Sequence, residues 1–194
     1  MIRNIKKGLA CAIIAALAFS AAAPVTASAA TPSATVAPQP ETAKGVTVKD
    51  SSGITSKMTT TSSGRAILTK VEKTNKKDVR VSSKVEVNGV KYTVTTVGAK
   101  AFSDCKKAET VTLPTTIKYV KANAFSDAKK VKTVVLRSTG KVKVNKKAFK
   151  GIKTSKMTIK VNKKMSKKDY KALVKALRKA GFKGTIKRTV KSYK

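Results

Sequence analysis

Ala101-Phe102, Ala124-Phe125 and Ala148-Phe149 recur at steps of 23 and 24 residues, and the apolar residues around each pair recur with them. Five positions before each Phe stands Val97, Val120 or Val144, and three positions after it stands Cys105, Ala128 or Ile152. Nine and eleven positions after the Phe come Val111 and Leu113, then Val134 and Leu136. In the third copy the pair reads one residue early, at Met157 and Ile159. A segment this short cannot bury its own apolar side, so its copies have to stack and share one continuous core. The period therefore predicts a solenoid of about three coils, β-rich with a smaller helical content.

The stretch Val97-Gly98-Ala99-Lys100-Ala101-Phe102-Ser103-Asp104-Cys105, followed by Val111-Thr112-Leu113-Pro114, resembles the BspA-like leucine-rich repeat family. That family's pattern reads roughly I-G-x-x-A-F-x-x-C-x-x-L-x-x-V-x-L/I-P, and the resemblance spans about Val94 to Val161. It implies a right-handed leucine-rich repeat solenoid on a bacterial secreted or surface protein, used for adhesion or binding rather than catalysis. Two positions depart from the pattern: Ala108 stands for the Leu after the Cys, and Ala128 replaces the Cys itself in the second copy. Both keep a small apolar side chain and so leave the fold intact.

The N-terminus reads as an export signal over residues 1–29. Arg3, Lys6 and Lys7 form a basic start, Leu9 to Ala23 is an apolar run, and Ala27-Ser28-Ala29 supplies small residues for cleavage. The mature chain then begins at Ala30, or at Thr31 if Ser28-Ala29-Ala30 is the site; a retained membrane anchor is the competing reading. Residues 30–64 are rich in Ala, Pro, Thr and Ser and show neither helical nor strand periodicity, which predicts a disordered spacer. Residues 65–194 form the repeat domain, with an N-terminal cap over 65–97, repeats over 98–165 and a C-terminal cap over 166–194.

Both caps have local signals. Ala66 to Val71 and Val79 to Val85 read as strands. Asn88-Gly89, between Val85-Glu86-Val87 and Val90 to Val94, is a hairpin turn, because both turn residues tolerate positive φ. This hairpin is expected to cover the first coil. At the other end Ser166 and Asp169 make a capping-box-like pair, Tyr170, Leu173, Val174 and Leu177 share one helical face, and Gly181 follows the last turn. The helix is expected to pack on the last coil, with Phe182 and Thr185-Ile186 returning as a final strand; the competing reading is a basic helix lying on a membrane surface.

Catalysis has little to stand on. The chain has no His, its nine Asp and Glu are scattered, and it carries no glycine-rich phosphate loop. No catalytic residue, cofactor or metal site is expected. Asp104 and Asp127, each two positions after a Phe, are expected to satisfy backbone donors in a turn. Once the signal is removed Cys105 is the remaining cysteine, so an intramolecular disulfide is impossible; its alignment with Ala128 and Ile152 predicts a buried thiol.

Charge is what remains. Without the signal's three cations the chain keeps 41 Lys and Arg against nine Asp and Glu, a formal charge of about +32. Such a field attracts polyanions, although lysine spread over every exposed position also serves solubility. Lys106 and Lys107 lie four and five positions after Phe102, Lys129 and Lys130 repeat them one coil later, and Lys153 follows in the third. Stacked coils would align these as ladders about 5 Å apart, a polyanion-binding candidate. The expected partner is an anionic cell-wall polymer, a glycan or a host surface protein. Nucleic acid is a weaker candidate without specificity, since the Phe residues that could stack on bases are committed to the core. The protein is expected to be a monomer, secreted or held at the cell surface, without a transmembrane segment after cleavage. A structural envelope protein with no specific ligand is the alternative.

Overall fold

The computed structural model describes residues 38–50 and 52–190; the export signal and its cleavage sites lie outside them. Thirteen elements follow one another: β1 (Val46–Lys49), β2 (Thr55–Thr60), β3 (Arg65–Val71), β4 (Asp78–Arg80), β5 (Lys84–Val87), β6 (Val90–Val97), β7 (Thr110–Leu113), β8 (Tyr119–Val120), β9 (Thr133–Leu136), β10 (Lys143–Val144), β11 (Thr158–Asn162), α1 (Lys167–Lys179) and β12 (Thr185–Val190). They make two sheets. One runs β1-β2-β3-β6-β8-β10, with β5 also paired to β6; the other runs β12-β11-β9-β7-β4.

From β6 to β11 the chain visits the two sheets in turn, and every strand of the second pairs in parallel with the strand one turn away. Between β6 and β7, β8 and β9, and β10 and β11 it crosses through the Ala-Phe segments, which are turns. Val97, Val120 and Val144 sit opposite one another in the first sheet. Val111 faces Val134, and Leu113 faces Leu136, in the second. The rings of Phe102 and Phe125 stack at 4.9 Å between centroids, and those of Phe125 and Phe149 at 5.0 Å. That spacing is the inter-strand distance, so the aromatic stack and the hydrogen-bond ladder share one repeat. Burying each Phe contributes about 1.5–3 kcal/mol, with stacking in addition.

The third copy departs from the sequence reading. Ile159 faces Val134 and Val161 faces Leu136, so the apolar pair arrives one residue late, not early at Met157 and Ile159. The extra residue lies between Ile152 and Thr158. Thr154 turns inward there: its hydroxyl accepts from the Lys183 N–H at 3.0 Å and lies 3.3 Å from the Gly181 carbonyl. Counting apolar positions from Phe149 could not reveal this, because Met157 is itself buried and mimics the rung.

The region before the repeats also differs. Residues 30–64 were expected to be a disordered spacer, yet β1 and β2 form antiparallel strands within them, and β2 pairs with β3. Ile54, Met58 and Thr60 are buried. The Thr60 hydroxyl donates to the Glu41 carbonyl and accepts from the Ala43 N–H, and Tyr92 accepts from the Glu41 N–H at 2.8 Å. Thr, Ser and Lys outnumber the apolar residues here, so two buried side chains carry a strand that composition hides. Val79 to Val85 is likewise not one strand: Val79 lies in β4 of the second sheet and Val85 in β5 of the first, and the chain crosses between them at Ser82-Ser83. The β5–β6 hairpin forms at Asn88-Gly89, with φ of 49° and 75°. It does not cover an end. Thr93 of β6 pairs with Arg65 of β3 on one side and Lys84 of β5 on the other, while β1 is the outermost strand.

At the far end Ser166 accepts from the Asp169 N–H at 3.0 Å, and its hydroxyl donates to the Asp169 carboxylate at 2.9 Å. Leu173 and Leu177 are buried, with Tyr170 and Val174 half-buried beside them, and α1 packs on β10. The Phe182 ring lies 5.3 Å from that of Phe149, and β12 pairs in parallel with β11. Among the described residues no helix is long and apolar enough to cross a membrane.

Candidate polyanion-binding face

Each turn leaves its Phe segment and enters the second sheet through a short corner. In the first, Cys105 and Ala108 are fully buried and Lys106-Lys107 between them are exposed. In the second, Ala128 and Val131 are buried and Lys129-Lys130 are exposed. Two anchored small residues thus force two side chains outward. The third corner exposes Lys153, but the next position is the inward Thr154, so the ladder loses its second lysine there.

Lys129, Lys130 and Lys153 line one depression of ≈ 570 Å³, joined by Lys132 and Lys156. Lys106 lines a second, ≈ 580 Å³, together with Lys100, Lys129 and Lys130. The expected residues are therefore brought together; Lys107 lines a third depression, shared with Lys106 and Lys73, that adjoins the second.

Acids stand among these lysines. Asp104 is 2.8 Å from Lys70 Nζ and accepts from the Ser103 hydroxyl; it does not satisfy backbone donors as expected. The Lys70 hydrogen bond holds its carboxyl below the ordinary range against the opposing effect of burial, and Asp104 in turn raises Lys70. Glu109 lies 3.1 Å from Lys132 and 3.9 Å from Lys77, and its contact with Lys132 lowers its pKa. The Lys70–Asp104 and Lys77–Glu109 pairs were not legible from spacing, because Lys70 and Lys77 belong to the preceding turn, which lacks the Ala-Phe signature. Asp127 sits at φ 64° in its turn. The Cys105 thiol is buried, and loss of solvent pushes it up to about 12, so it stays protonated at neutral pH. Among the described residues no group of three or more His, Cys, Asp or Glu could hold a metal ion.

Two sheets whose repeat strands pair in parallel, joined by stacked aromatic turns, define a leucine-rich repeat solenoid. The chain belongs to the BspA type leucine rich repeat family, whose repeat region matches residues 82–187 in six copies. Two solved structures are similar to it. One is a leucine-rich repeat protein from Bacteroides ovatus, 17% identical, with a TM-score of 0.38 over 66% of this chain and 37% of that one. The other is the pneumococcal vaccine antigen PcpA, 14% identical, with a TM-score of 0.35 over 61% of this chain and 41% of that one. The chain thus spans less than half the length of either. No curated protein matches it significantly.

Proposed function

We propose that this is an exported bacterial leucine-rich repeat protein that binds anionic polymers at the cell surface and has no catalytic role. The observation that carries the reading is the repeated corner: Lys106-Lys107 and Lys129-Lys130 are exposed at equivalent places in successive turns, each pair fixed between buried residues. Like charges about 5 Å apart repel by no more than about 1 kcal/mol in water, which the fold tolerates while their summed field attracts an anion. In this reading the N-terminal antiparallel strands and α1 act as caps that close the two ends of the stack.

The test is binding of the purified protein to polyphosphate, a sulfated glycan and single-stranded DNA across a salt series. Affinity falls steeply as salt rises, because each contact depends on screened attraction and counterion release. Absence of binding to all three at low salt would leave solubility as the role of the lysines.

A further inference from the structure

The three lysine depressions adjoin one another. The one beside Lys73 shares Asp104 and Lys106 with the next, which shares Lys129 and Lys130 with the third, where Lys153 and Lys156 stand. Lys106, Lys129 and Lys153 belong to three successive turns, so the furrow runs along the stacking direction, across the strands, for about 10 Å between its central lysines. Its acids are partly neutralised: Lys70 holds Asp104, and Lys132 and Lys77 flank Glu109 at 3.1 and 3.9 Å, while Asp127 stands in the lining without an ion pair among the described residues. Among the described residues Lys73, Lys100, Lys106, Lys129, Lys153 and Lys156 have no carboxylate within ion-pair distance.

The lining is also selective by what it is made of. It contains no aromatic ring and no arginine. A nucleobase would find no face to stack on, and no guanidinium fork is present to grip any one anion with two parallel hydrogen bonds. Lysine ammonium groups are compact point charges, suited to singly charged tetrahedral anions spaced along a flexible chain. We infer that the furrow binds one strand of a linear phosphodiester polymer without bases, a polyol phosphate, laid along the stacking direction. This rests on the polyanion reading above and adds Lys73, Lys100 and Lys156 to the site.

The experiment compares labelled poly(glycerol phosphate) with a single-stranded oligonucleotide carrying the same number of phosphates, each titrated with the purified full chain at several salt concentrations. The polyol phosphate binds about tenfold tighter, since the bases of the oligonucleotide lose their own stacking and gain none from the furrow. Four to six phosphate contacts give a slope of log K against log salt of about −3 to −4. K73Q/K100Q/K156Q weakens binding several-fold more than K167Q/K168Q/K175Q on α1. Equal affinity for the two polymers, or equal losses from the two variants, would overturn the furrow while leaving the polyanion reading standing. Failure of both polymers to bind at low salt would remove both.

Discussion

The Phe102–Phe125–Phe149 stack and the lysine corner belong to the same turns, with Cys105 fully buried and Lys106, the next residue, in solvent. In the stack each side chain is confined by the turn before and the turn after, so its identity is dictated by the space available. At the corner only the exit is dictated. Ala108 and Val131 must be small and apolar to seal the core, while any soluble side chain could stand between the anchors. The stack therefore reports the fold, whereas packing does not require lysine at the corner.

The comparison breaks first at the stack. Phe125 is 1% exposed and has a ring on either side, so Phe125→Ala is expected to cost roughly 3 to 5 kcal/mol in denaturant melts. A loss below about 1 kcal/mol would mean that the rings do not hold the turns together. Phe102, at 0%, is no less enclosed: the neighbouring turn covers it, with the Val71 N–H bonded to the Ala101 carbonyl at 2.7 Å. An intermediate effect is expected at the C-terminal end. Ser166→Ala removes the cap of α1 and lowers stability by about 1 kcal/mol, whereas Ser166→Asp retains most of it.

Cys105 sharpens the boundary between the regions through pH. Its folded-state pKa is raised from the ordinary 9.0 to about 12, so between those values the unfolded chain releases a proton that the folded chain keeps. Stability therefore falls as pH rises through that window, and the wild type should lose more than Cys105→Ala over the same range in parallel melts. Identical pH profiles would place the thiol in contact with water.

Legibility follows the same division. Val97, Val120 and Val144, the three Phe residues and the Ser166 cap were readable because burial or a backbone donor leaves few alternatives. The strands at Val46–Lys49 and Thr55–Thr60 were not, since Met58 and Ile54 carry their burial amid Thr, Ser and Lys. The shift at Ile159 was hidden by a buried Met157 in the position where a rung was expected. The candidate lysines were visible by their spacing, but the Lys70–Asp104 and Lys77–Glu109 pairs depend on a turn that shares no motif with its neighbours.

The smallest expected effect on stability comes from the corner itself, and it accompanies the most direct test. K106Q/K107Q/K129Q/K130Q is expected to melt within about 0.5 kcal/mol of the wild type, as exposed substitutions do. The decisive measurement is its affinity for a polyanion at fixed low salt beside that of K167Q/K168Q/K175Q/K179Q, which removes the same charge from α1. The corner variant should lose about tenfold or more beyond the α1 variant, since its lysines act together on one bound chain. Equal losses would contradict the account, because net charge alone would then explain the binding.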